Sequence, residues 1–162
     1  MIGLLVVQVL HARGVESIIA VDLDEQRLDL AGRLGATTCL NAETCDVPAE
    51  VRNRTAGIGA DAAFEVVGAS TTLSLAARAL RKGGVLAMVG NVSPTAELPL
   101  QAAVTRELTL VGSCASAGEY PACLAMLAAG EIDADAMIGA VAPLADGADW
   151  FRRLQEGERL MK

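Results

Sequence analysis

Apolar positions along this chain switch repeatedly between short β-branched runs and spacings of three and four. Residues 17–22, Ser-Ile-Ile-Ala-Val-Asp, form an apolar run closed by an acid, the pattern of a buried parallel strand. Residues 24–34 then place Leu28, Leu30, Ala31 and Leu34 on one helical face, and Gly35 stands where a C-terminal cap belongs. A strand is expected over 36–40 and a short helix over 48–55 with Pro48 in its first turn. Residues 61–67 read as a strand, with Gly68 as the turn after it. Residues 71–81 read as a helix carrying Leu73, Ala76, Ala77 and Leu80, closed by Lys82, Gly83 and Gly84. Strands follow over 85–89 and 108–111, then a helix over 120–129 capped by Gly130. A short strand over 138–141 and a helix over 146–155 complete the pattern.

The first ten residues fit either period. Leu5, Val6, Val7 and Val9 suit a strand by propensity. Gly14 sits where a helix cap belongs, however, and a strong strand follows almost at once. Residues 2–13 are therefore read as a helix apolar on most faces, buried between the sheet and a second surface. Strands alternating with helices imply βαβ crossovers and a doubly wound parallel sheet covered on both faces, in one α/β domain without repeats or linkers.

Composition narrows the classes. The chain has 162 residues, 52% of them hydrophobic, and a mean hydropathy of +0.41, which excludes a disordered tail. Aromatic residues are only 2%, so the core must be built from Ala, Val, Leu and Ile. A formal charge of −7 and scattered basic residues, of which Arg78, Arg81 and Lys82 are the tightest group, argue against nucleic acid as a partner. No apolar run reaches the roughly 18 residues a membrane span needs. The apolar start lacks a charged beginning, and His11, Ala12, Arg13 and Gly14 follow it rather than a cleavage site. A soluble cytoplasmic protein with reduced cysteines is the reading these features favour.

Few residues suggest chemistry. Asp22 ends the first strand roughly 20 residues after Gly3, where a carboxylate can accept hydrogen bonds from the adenosine ribose of a dinucleotide and repel a 2′-phosphate. An acid there also suits the start of the next helix. Gly3 alone is only the end of a glycine motif, and equally a small residue that lets helix and strand approach. His11 is the only histidine, read as a solvated residue near a helix end. Cys39, Cys45, Cys114 and Cys123 contain no Cys-x-x-Cys pair, cannot assemble a zinc site, and read as small core residues.

Taken together, these segments resemble the cofactor-binding (Rossmann) domain of the zinc-dependent medium-chain dehydrogenases, in the polyol (sorbitol-like) and threonine dehydrogenase branch. The resemblance rests on Ile-Gly-Leu-Leu at 2–5, Ala-Val-Asp-Leu-Asp-Glu-Gln-Arg-Leu at 20–28 and Gly-Ala-Asp-Ala-Ala-Phe-Glu-Val-Val-Gly at 59–68. It continues with Leu-Arg-Lys-Gly-Gly-Val-Leu-Ala-Met-Val-Gly at 80–90, Leu-Pro-Leu at 98–100 and Glu-Leu-Thr-Leu-Val-Gly-Ser at 107–113. It implies that Ile2 and Gly3 line a pyrophosphate, that Asp22 and Arg27 hold the adenosine ribose, and that Val89, Gly90 and Asn91 pass beneath the nicotinamide. Ser113, Cys114 and Ala115 would offer backbone groups to its carboxamide, and the acid at Asp22 favours NAD over NADP. The resemblance further implies a small alcohol or polyol as substrate and a homo-oligomer.

The same resemblance marks departures. The family's catalytic zinc belongs to a separate domain, absent here along with the structural zinc lobe, so the chain alone is expected to be inactive. In the family's strand order the first, central strand precedes Met1, so the chain reads as truncated at both ends, with Met1 an internal methionine. Residues 18–21 and 62–67 are expected to flank the vacancy. The chain should then self-associate, bind a hydrophobic dye, or close the gap by pairing those two strands. Two other functions remain open on the residues alone. A methyltransferase using S-adenosylmethionine also places an acid at a strand end and has a turn like Leu-Arg-Lys-Gly-Gly-Val-Leu at 80–86. A non-catalytic dimerisation fragment is the second.

Overall fold

A computed structural model describes residues 1–157. The elements run α1 (Ile2–Ala12), β1 (Ile19–Asp22), α2 (Glu25–Arg33), β2 (Thr38–Asn41), α3 (Val47–Arg54), β3 (Ala60–Glu65), α4 (Ser70–Ala79), β4 (Leu80–Met88), α5 (Leu100–Thr105), β5 (Thr109–Gly112), α6 (Tyr120–Ala128) and α7 (Gly147–Gln155). Every strand pair is parallel, as crossover helices require. The strands form two ladders, β1 with β2 and β3-β4-β5, and no ladder joins β1 to β3. The strands expected to flank a vacancy thus do not close it by pairing with each other.

Local chemistry starts and stops the helices. Asp24 caps α2 by accepting from the amides of Gln26 and Arg27, and Asp46 caps α3 by accepting from Ala49. After α2 the chain turns at Gly35 with φ +115°, and a β carbon there would lie 2.5 Å from the His11 ring, so only glycine fits. His11 is exposed at the end of α1, with its ring against that glycine.

Three apolar clusters carry the fold. Leu4 of α1, Leu30 and Ala31 of α2, and Met137 make the first. Leu40, Val47, Val51 and Ala79 make the second, with Ile19 of β1 and Ala60 of β3 packed against it, so it spans both ladders. Leu73, Ala77, Leu80 and Leu86 make the third, between α4 and the larger ladder.

The structure departs from expectation at four places. The helix over 71–81 stops at Ala79, because Leu80 turns extended and is fully buried as the first residue of β4. Leu80 pairs with Ala60, the strand bulges, and pairing resumes with Val85 opposite Ala62, so Lys82 and both glycines lie inside β4. Residues 138–141 are not a strand. They follow a single 3-10 turn at Asp135–Met137, and Val141 is 90% exposed with no strand beside it to complete a ladder. The helix α1 buries one face, Leu4, Val7 and Gln8, while Ile2 and Val9 stay exposed. The cysteines are not core residues: Cys39, Cys114 and Cys123 are exposed and Cys45 is half-buried.

Candidate functional site

Because β3, β4 and β5 are parallel, the segments after them emerge at one edge of their ladder, the edge where open α/β sheets bind ligands. These segments are bonded to one another. The backbone oxygen of Glu65 accepts from the amides of Val89 at 2.8 Å and Gly90 at 2.9 Å. Val92 donates to the Val67 carbonyl, Ser93 to that of Gly68, and Ser113 to that of Met88. A β carbon on Gly90 would lie 2.2 Å from the Gly68 nitrogen, and one on Gly68 would lie 2.4 Å from the Asn91 nitrogen. Both positions therefore require glycine. Ala115 follows Ser113 and Cys114 with φ +53°, which turns the chain away from the strand direction.

Glu65 organises this edge, and the sequence reading gave it no role. Its carboxylate is buried, accepting from the amides of Val67 at 2.9 Å and Gly68 at 2.9 Å and from the Thr72 hydroxyl at 2.8 Å. The signal was present: an acid inside an apolar run, with glycine three positions on. Gly3, in the first turn of α1, lies against the same segment, since a β carbon there would stand 3.4 Å from Val66. The amides of Leu4 and Leu5 turn back to the Met1 carbonyl, and no side chain caps this helix start.

Asp22 stands at the end of the other ladder. Its Oδ1 accepts from the amides of Leu23 at 2.8 Å and Asp24 at 3.1 Å. An Arg27 guanidinium nitrogen lies 3.7 Å from the same oxygen, both side chains being partly exposed. Among the described residues Oδ2 has no hydrogen-bond partner. The structure thus gathers the site residues into two groups, Asp22 with Arg27 and the loops at 65–68, 89–91 and 113–115 with Gly3. No hydrogen bond or ion pair links the groups among the described residues. A cleft between α3, α4 and residues 97–99, lined by Pro48, Ser74 and Arg78, contains none of them.

The described residues lack a donor set for a metal. Among the described residues no three His, Cys, Asp or Glu side chains converge. Burial pushes the Cys39 thiol up in pKa, and its sulfur donates to the Leu28 carbonyl at 3.1 Å, which makes it a poor ligand or nucleophile. Among the described residues no helix is long and apolar enough to cross a membrane.

Comparison with known proteins follows the same lines. Residues 2–129 match the family model described as zinc-binding dehydrogenase. The chain is 36% identical over 141 residues to L-idonate 5-dehydrogenase of Vitis vinifera, which covers 85% of this chain and 38% of that relative. The structure of 2R,3R-butanediol dehydrogenase from Bacillus subtilis superposes with a TM-score of 0.87 at 31% identity, over 99% of this chain and 46% of that one. A zinc-binding dehydrogenase of Sinorhizobium meliloti 1021, solved bound to NADP, superposes with a TM-score of 0.77 at 26% identity, over 85% of this chain and 41% of that one. The chain spans less than half the length of each of these relatives. With a match over most of its length, an α/β fold of parallel strands and loops tied together at their carboxyl ends, this chain belongs to the zinc-binding dehydrogenase family.

Proposed function

We propose that the chain is the dinucleotide-binding part of an alcohol or polyol dehydrogenase and that its cofactor is NAD. The observation that carries this is Asp22. Its own turn fixes one carboxylate oxygen through two amides, and the other is left open at the end of a parallel strand. That oxygen suits a ribose hydroxyl, and its charge opposes a 2′-phosphate. Arg27 supplies a donor on the same side of the ribose. Ile2 and Gly3 open α1, whose uncapped first-turn amides suit a pyrophosphate. Val89, Gly90 and Asn91 pass beneath the nicotinamide, and Ser113, Cys114 and Ala115 present backbone groups to its carboxamide.

When bound, the nicotinamide supplies a hydride acceptor for the alcohol carbon. This chain contributes binding and orientation. Zinc does not fit the described residues and belongs to a catalytic domain outside them, so the chain alone is expected to turn over no alcohol. Relatives named for L-idonate and butanediol point to a small polyol or diol as substrate. The outer strand β5, exposed along all four residues, is a surface on which two copies can meet as a homo-oligomer. Free cysteines suit the reducing cytoplasm.

Fluorescence titration of the chain with NADH and NADPH tests the reading. Hydrogen bonds to a charged acceptor are worth about 1.5–3 kcal/mol, and a decade of affinity about 1.4 kcal/mol. Asp22→Ala should therefore weaken NADH about tenfold or more and narrow the gap to NADPH. Unchanged affinity for both nucleotides removes Asp22 from the site. No binding of either by the unsubstituted chain removes the dinucleotide reading.

A further inference from the structure

Asn41 closes β2 directly opposite Asp22 in the β1–β2 register. Its side chain is engaged on both sides. The amide Nδ2 donates to the Leu23 carbonyl at 3.3 Å and to the Glu25 carboxylate, while Oδ1 accepts from the Glu43 amide at 2.9 Å. The Leu23 carbonyl and the Asp24 amide are the two ends of one peptide group. That peptide holds Asp22, because the Asp24 amide donates to Asp22 Oδ1. A continuous path thus runs from Asn41 Nδ2, through the Leu23–Asp24 peptide, to the carboxylate. Hydrogen bonds in such a chain polarise one another, and fixing the peptide plane at its oxygen fixes the direction in which its N–H points.

We propose that Asn41 is a positioning residue for the Asp22 carboxylate, acting through the Leu23–Asp24 peptide, and that it thereby sets the preference for a 2′-hydroxyl dinucleotide. The nucleotide part of this rests on the reading of Asp22 as the ribose acceptor. Asn41 touches no cofactor in this account. Its second bond, to Glu25, ties the first turn of α2 to the end of β2, so the whole turn from Asp22 to Glu25 is braced from the neighbouring strand. Without the brace, the peptide can rotate and Asp22 loses one of the two amides that aim it.

The donor and acceptor halves of Asn41 separate by substitution. Asn41→Asp keeps an oxygen for the Glu43 amide but loses the donor to Leu23, and brings a second negative charge to Glu25. Asn41→Ala removes both halves. Two measurements on the full chain decide the proposal: hydrogen exchange at the Asp24 amide, read by nuclear magnetic resonance, and titration with NADH and NADPH. In Asn41→Asp the Asp24 amide should exchange about fivefold faster, and NADH should bind about fivefold more weakly, the equivalent of one ordinary hydrogen bond. In the uncharged Asn41→Ala NADPH affinity should hardly move, since a general loss of structure would weaken both nucleotides alike. Asn41→Ala should show the same pattern together with faster exchange at Glu43. Unchanged Asp24 exchange in Asn41→Asp overturns the proposal, and so does a parallel loss of both nucleotides in Asn41→Ala. If the unsubstituted chain binds neither nucleotide, the dinucleotide reading fails by itself, and the Asp24 exchange rate still decides whether Asn41 positions the turn.

Discussion

The Glu65 carboxylate sits in the interior with three donors converging on it, the amides of Val67 and Gly68 from the turn after β3 and the Thr72 hydroxyl from α4. Burying a charge is costly unless it is fully hydrogen-bonded, and here two of the bonds come from the turn that the carboxylate shapes and one from the start of α4. Its backbone oxygen meanwhile holds Val89 and Gly90, so one residue sets the separation of two loops that meet at paired glycines. Glu65→Ala would strand the amides of Val67 and Gly68. Each such buried donor costs about 1–3 kcal/mol, so a clear fall in melting temperature is expected. A variant that melts with the native chain would show that the glycine contacts hold the edge without it. The strand end at Asp22 was legible in the sequence because an acid closing an apolar run before a helical spacing marks the turn between strand and helix. Glu65 was not, because an acid within such a run reads as an exposed strand residue until its bonding to Val67 and Gly68 is seen. The cysteines misled in the opposite sense. They are apolar by type, yet Cys39 on β2, Cys114 after β5 and Cys123 on α6 stay exposed, and only Cys45, before α3, packs against a core cluster.

Periodicity located every described helix except α5, and four of the strands, to within a few residues, since each βα unit repeats the same switch from period two to a helical spacing. What periodicity could not place was the boundary between α4 and β4. Leu80 continues the apolar face of the helix, and its neighbours Lys82, Gly83 and Gly84 look like a cap. The deciding group lies 26 residues away. An Arg106 guanidinium nitrogen donates to the carbonyls of Arg78 at 2.7 Å and Leu80 at 3.0 Å, satisfying oxygens that the end of α4 leaves open. Leu80 is then free to turn extended and pair with Ala60. Arg106→Ala should destabilise the chain by about 1–2 kcal/mol, a charge-assisted pair of bonds discounted for partial exposure. It should also speed amide exchange along the Leu80 end of β4. A stable variant with native exchange there would place the boundary in Leu80 burial alone. The failed strand at 138–141 has the same kind of cause. Strand propensity describes a fit to a neighbouring strand, and Ile138 and Val141 have none beside them.

Across the whole molecule, the strands fall into two ladders in chain order. The first is β1 with β2, and after α3 the chain builds the second, β3-β4-β5. The two ladders share the cluster around Val47 and Val51, against which Ile19 and Ala60 both pack, yet no hydrogen bond ladder joins them. The inner edges of β1 and β3 thus carry backbone donors and acceptors that another strand can pair with. Val21 on β1 and Phe64 on β3 are each about two-fifths exposed, which leaves apolar surface beside those edges. A strand between them would pair on both sides. Burying four or five of its apolar side chains at about 1.5–3 kcal/mol each would rival a domain's net stability of about 5–15 kcal/mol. Extending the chain ahead of Met1 by six residues rich in Val and Ile should therefore raise its melting temperature and lower its binding of a hydrophobic dye. It should also protect the amides of β1 and β3 from exchange. The same extension with proline at alternate positions loses every amide donor toward one of the two neighbouring strands and should do each of these far more weakly. Equal melting temperature, dye binding and exchange for the two extensions would mean that the inner edges are closed in some other way, and the β1–β3 gap would not be a strand site.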